Sequence, residues 1–265
     1  WRRMRPRLGA GPVLVRSLAA ALLAAGLGGA GVSLAQAQAR FEGVASCAGS
    51  TCHGRAEGNG AIVRQDEIAT WQEPAARSGA HSRAYAVLDS QRGRQIAASL
   101  GLGAPTSAGE CLGCHATFVP ASSRGARFQI SDGVGCESCH GPASGWIASH
   151  YAVRGTHAAN VAAGLVPLEQ PAARARVCLD CHFGSAVPGQ FVTHAMMAAG
   201  HPRIVFELDL FSALQQHHDV DADYLARKDN PSSVRLWAVG QAEAVGRSLD
   251  LFARSDRGMQ GLFPE

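Results

Sequence analysis

Apolar residues are spread unevenly along the chain, and their spacing changes character more than once. From about Val13 to Leu34 they form a nearly continuous Leu/Ala/Gly/Val run behind a basic cluster of Arg2, Arg3, Arg5 and Arg7. The run ends at Ala35-Gln36-Ala37 or Ala37-Gln38-Ala39. A basic start, an apolar middle and a small-residue cleavage pattern mark an export signal, so residues 1–39 are expected to be removed and the mature protein to be periplasmic. The alternative is an uncleaved leader that anchors the protein in the inner membrane, since the run approaches the length of a span. No later stretch is long and apolar enough to cross a bilayer, so the mature form is expected not to span one.

Beyond the leader the pattern is that of helices broken by loops. Ile62 to Glu73 and Ser78 to Leu100 read as helices; Ser78 is a candidate N-cap, and His81, Tyr85 and Leu88 recur on one face. Residues 116–135, with Pro120, Gly125 and Gly133, read as a loop with a short strand near Phe128 to Ile130. Pro142 suits the first turn of a helix that sets Trp146 and His150 one turn apart, and Pro171 opens another that runs to His182. Phe206, Leu210, Phe211 and Leu214 make an apolar face. After the start signal Asn230-Pro231, Val234, Ala238, Gln241, Val245 and Phe252 mark the packing face of a long helix. There is no parallel-sheet pattern and no fixed repeat. The expectation is a mainly α, loop-rich domain over residues 40–220 and a C-terminal helical segment over 221–265.

Charge adds an exclusion. The formal net charge is +3, but five of the 24 basic residues lie in a leader without Asp or Glu, which leaves 19 against 21 acidic ones in the mature chain. A mildly acidic protein lacks the basic face that nucleic acid requires.

The eight cysteines form four pairs, each followed at once by histidine: Cys47-x4-Cys52-His53, Cys111-x2-Cys114-His115, Cys136-x2-Cys139-His140 and Cys178-x2-Cys181-His182. C-x-x-C-H is the attachment site of c-type haem, in which two thiols bond the porphyrin and the next histidine reaches the iron. The first pair is a longer arch that keeps the adjacent histidine. Structural zinc is a weaker reading of one unit repeated four times in an exported chain, and a disulfide framework gives no reason for a histidine after every second cysteine. A thioredoxin-like centre would want a single motif beside a βαβ pattern. Four covalent haems are therefore expected, and they explain a chain with only 6% aromatic residues: the core is built around the packed haems.

Seven further histidines remain, His81, His150, His157, His194, His201, His217 and His218, whereas methionine is scarce. Histidine on both iron faces gives lower potentials than histidine with methionine, so the haems are expected to be mostly bis-histidine and of low potential. His150 is one of these distal candidates. A helix from Pro142 rises about 12 Å by His150, too far to fold back over the haem on His140, so His150 should serve a different haem. His81 is placed where it can point inward with Tyr85 and is expected to be a ligand, and His194, His201, His217 and His218 share one segment from which at most two ligands are expected.

The first motif, the phrase SGAHSRAYAVL from Ser78 to Leu88, and GVGCESCHGP from Gly133 to Pro142 with His150 ten residues past its motif histidine, resemble a known family. It comprises exported multihaem cytochromes c that include the tetrahaem acceptor of electrons from hydroxylamine oxidoreductase. The resemblance covers roughly Cys47 to His182. It implies His81 opposite His182, His150 opposite His53, and no protein ligand on the distal side of the haem held by His115. The segment from Gly200 to Lys228 resembles a different branch, in which similar chains continue into another haem motif, so a longer parent chain is an expectation as well.

Two functions follow. The first is electron transfer through about four low-potential haems between redox protein partners. An acidic surface carrying haem propionates would favour partners with a basic docking patch. The alternative is a haem enzyme whose open site acts on hydroxylamine or a small nitrogen or sulfur oxyanion.

Overall fold

The computed structural model describes residues 39–58, 64–218 and 231–254. Among them are ten α-helices and no β-strand; the only β pairing is an isolated bridge between Phe41 and Arg124. The expected mainly α, loop-rich class is what is found. The leader and residues 255–265 lie outside the described residues, as do Ile62 and Asn230.

The first helices are short. α1 spans Glu67–Gln72, α2 Gln91–Ser99 and α3 Gly109–His115. The sequence suggested one helix from Ser78 to Leu100, and the structure breaks it. Two 3-10 turns, Ser78–Ala80 and Ala86–Asp89, precede α2, which starts afresh where the extended Ser90 accepts a hydrogen bond from the Gly93 amide through its hydroxyl. Tyr85 packs against Leu88, which joins Leu112 and Ala116 in a small core. The strand near Phe128 does not form; a 3-10 turn, Ile130–Asp132, stands at its end.

Three motif histidines end helices: His115 ends α3, His140 ends α4 (Cys136–His140) and His182 ends α7 (Pro171–His182). In a helix, residues three apart share a face, so the two cysteines of a C-x-x-C-H unit project together and the histidine sits at the exit. After α4 the chain turns at Gly141, with φ of 82°, where a Cβ would come within 2.5 Å of the Gly164 carbonyl oxygen. Only glycine fits that left-handed, crowded position. Within α4, the buried Glu137 carboxylate accepts the amides of Glu42, Gly43 and Ala143 at 2.7–2.8 Å. It thereby ties the third motif to the segment before the first motif and to the approach to His150. The helix expected from Pro142 is broken: a 3-10 turn, Ala143–Gly145, precedes α5, the single turn Ile147–His150, in which the His150 amide donates to the Trp146 carbonyl at 2.9 Å and keeps these two residues one turn apart.

The second half comprises α6 (His157–Ala162), α7, α8 (His194–Ala198), α9 (Leu208–Leu214) and α10 (Ser233–Arg254). α10 lies against α7 and α9. Gly240 lets α10 come close, because a Cβ there would stand 2.8 Å from that of Leu208. The packing face of α10 is not the one its apolar spacing suggested: Val234, Val245 and Phe252 are 74%, 59% and 43% exposed. Polar clasps choose the buried side instead. Arg247 reaches Asp180 at 2.7 Å and the Gly184 carbonyl at 3.0 Å, and Glu243 takes a two-pronged bond from Arg176 at 2.9 Å. The apolar core is thin. Among the described residues the largest fully buried side chains are Leu179 and Leu208.

Candidate functional site

Each of the four motif histidines faces an imidazole from a distant part of the chain. His53 lies 6.1 Å, centre to centre, from His150, and His81 lies 6.2 Å from His182. His115 lies 6.2 Å from His201. His140 faces two rings, His217 at 6.3 Å and His218 at 6.2 Å. Two metal–imidazole bonds of about 2 Å, plus roughly 1 Å from each nitrogen to its ring centre, place trans ligands about 6 Å apart. The same spacing recurs at all four motifs.

Backbone carbonyls fix how several of these rings carry their proton. Nδ1 of His115 stands 2.8 Å from the Ala84 carbonyl oxygen, Nδ1 of His201 2.8 Å from that of Pro202, and Nδ1 of His217 2.7 Å from that of Gln215. A carbonyl oxygen can only accept, so each Nδ1 donates and each Nε2 keeps its lone pair for a metal. Two other rings use a carboxylate. Nδ1 of His53 donates to Glu67 Oε2 at 2.9 Å, and Nδ1 of His218 donates to Glu67 Oε1 at 3.2 Å. Such outer partners orient a metal-binding histidine and raise its basicity.

Six of the rings are pushed toward the neutral form, the form that binds iron. Burial first, and then the neighbouring His218 and His217, push His140 down to about 3. Burial and the adjacent His217 push His218 down to about 4. His81, His115, His150 and His182 all move downward, chiefly through burial. For Glu67, burial raises the carboxyl, but the hydrogen bonds it accepts, that from His53 foremost, outweigh it, and the net direction is down.

All eight cysteines are free thiols, and several interact across motifs. Cys136 interacts with Cys47 and Cys181 with Cys114, so that Cys136 and Cys181 are pushed up by these neighbours and by burial while Cys47 and Cys114 are lowered; Cys181 and Cys114 also donate to the Gly113 and Gly189 carbonyls. Cys139 is pushed up to about 12, first by burial and then by Cys178.

Other features suit a bulky, acidic, apolar group. The indole Nε1 of Trp146 and the Nε of Arg55 are buried with no hydrogen-bond partner. Trp146 packs edge-on against His150 with ring centres 5.5 Å apart, and Arg55 lies two residues past His53. Orphaned buried donors are costly, and a propionate placed there would satisfy them. The residues present therefore fit covalently attached haem, with apolar porphyrin supplying surface that the thin core lacks.

Two candidate ligands stand elsewhere. His157 is exposed, with Nε2 2.8 Å from Glu169 Oε1. His194 opens α8 and is not among the rings facing a motif histidine. At His115 the resemblance implied an open distal side, and His201 stands there instead. One contributor was not visible in the sequence: Glu67 lies 14 residues from His53 with no pattern linking them, whereas His218 was one of four candidate histidines that spacing alone did not separate.

A family model described as cytochrome c554 and c-prime matches residues 46–141, a span that holds the first three motifs and His81. No curated protein and no solved structure matches the chain. No helix among the described residues is long and apolar enough to cross a membrane. With the geometry above, the match supports a multihaem c-type cytochrome that carries covalently bound haem c and works in electron transfer with redox protein partners.

Proposed function

We propose that this chain is an exported tetrahaem cytochrome c that passes electrons between protein partners through four low-potential, bis-histidine haems. The observation that carries this reading is the fourfold recurrence of a motif histidine about 6 Å from an imidazole of a remote segment. Haem c, when bound, supplies reversible one-electron iron chemistry.

The chain's own residues do the rest. Cys47 and Cys52, Cys111 and Cys114, Cys136 and Cys139, and Cys178 and Cys181 hold the four groups, and His53, His115, His140 and His182 approach each from one side. His150, His201, His218 and His81 close the opposite sides, in that order, and keep small ligands away. Because each closing histidine comes from another segment, the groups staple the chain together. A thiol interaction links the first motif to the third, α4 lies against α7 and so brings the third motif to the fourth, and a second thiol interaction links the fourth to the second. They favour a relay in that order, with the first and second motifs at its ends. Paired imidazoles set low potentials. The acidic mature surface suits partners with a basic docking patch. The basic, then apolar, leader pattern supports export to the periplasm.

Compared with a haem enzyme acting on hydroxylamine or a nitrogen or sulfur oxyanion, the electron carrier is favoured because His201 closes the site that such an enzyme would leave open. Intact mass together with a pyridine haemochrome assay tests the reading. Four haems per chain, on a mature protein that starts near residue 40, are expected. Three haems would remove the long first motif from the set, and none would end the proposal.

A further inference from the structure

We propose that Glu67 is a positioning residue shared by two haem sites: its carboxylate takes the Nδ1–H of both His53 and His218, holds His218 rather than His217 opposite His140, and lowers the potentials of the first and third haems together. The inference rests on the tetrahaem reading above.

Glu67 is 5% exposed and sits at the first residue of α1. The Ile68 amide donates to the His53 carbonyl at 3.1 Å, so the start of α1 is fixed to the first motif by backbone as well as by side chain. Its two oxygens are divided: Oε2 serves His53 at 2.9 Å and Oε1 serves His218 at 3.2 Å. The rings of His53 and His218 are themselves 6.4 Å apart, so one carboxylate lies beside two metal positions.

The other pinned rings differ in kind. His115, His201 and His217 donate Nδ1–H to neutral carbonyls. A carboxylate pulls harder on that proton, gives the imidazole more anionic character and so favours ferric over ferrous iron. Its negative charge acts in the same direction, and in a buried site it is poorly screened. The choice between adjacent histidines follows from the same contact. His217 is pinned to Gln215 of its own turn, whereas His218 is braced from α1, an element that is itself hydrogen-bonded to the first motif through Ile68 and His53.

The test is a spectroelectrochemical titration of haem-loaded E67Q, after its haem content has been shown to equal that of the unaltered protein. Two of the four midpoint potentials should rise while the other two stay in place. Movement of none, of only one, or of all four alike would overturn the shared-carboxylate account, while a protein without haem would indict the tetrahaem reading instead. If E67Q does not accumulate, the single variants decide. H218A should open one haem in four and give a high-spin ferric signal, and H217A should stay low-spin. The reverse pattern would overturn the proposal.

Discussion

Replacement of His201 by alanine is expected to convert one haem in four from low-spin to high-spin ferric iron, and to let the reduced protein bind carbon monoxide at that single site. His201 is the imidazole opposite His115, at 6.2 Å, and its Nδ1–H is committed to the Pro202 carbonyl, so only Nε2 is available to iron. Loss of an axial imidazole should raise the potential of that haem by something on the order of 0.1 V, inside the range of about 0.8 V that axial ligands command. The remaining three haems should keep their spectra. A variant that stays entirely low-spin would show that another residue holds the iron. An unaltered protein that already binds carbon monoxide at one haem would return the enzyme reading to the front.

Replacement of all eight cysteines by serine is expected to abolish most of the ordered helix, read as loss of more than half the far-UV dichroism and of any cooperative melt. Most helices here are one or two turns long, below the length at which isolated helices hold in water. The enclosed apolar side chains are few, and the large ones fully buried are Leu179 and Leu208. α3, α4 and α7 end in motif histidines, and the closing imidazoles come from between them and beyond, so without the covalent groups the segments lose what joins them. The buried, partnerless donors of Trp146 and Arg55 would add cost to a compact haem-free state. A serine variant that retains native helix content and melts cooperatively would mean that the polypeptide builds its own core.

How much of this was legible in the sequence depended on whether the signal was local. The four attachment motifs are local, since cysteines three apart followed by histidine project from one helix turn, and three of them do so at the ends of α3, α4 and α7. The pairing of His150 with a haem other than its neighbour's followed from helix rise. The pairings with His53 and of His81 with His182 came from resemblance, and the rings stand in those arrangements. The partner of His115 was not legible, because His201 lies 86 positions away in a segment with three other histidines. Glu67 carried no signal at all; its role appears only when α1 folds over the first motif. The long C-terminal helix misled in the opposite way. Its apolar residues lie on both sides, and the side that packs is picked by Arg247 and Glu243, which a hydrophobic pattern counts as solvent-facing. The break of the expected helix at Ser90 belongs to the same class, a capping serine inside an otherwise helical spacing.

The claim on which the account stands is that four imidazole pairs hold four irons. Low-temperature electron paramagnetic resonance of the oxidised, fully loaded protein tests it directly, integrated against haem content. The account predicts that the low-spin signals sum to four haems per chain, with no high-spin component. A high-spin signal equal to one haem or more in the unaltered protein would contradict it.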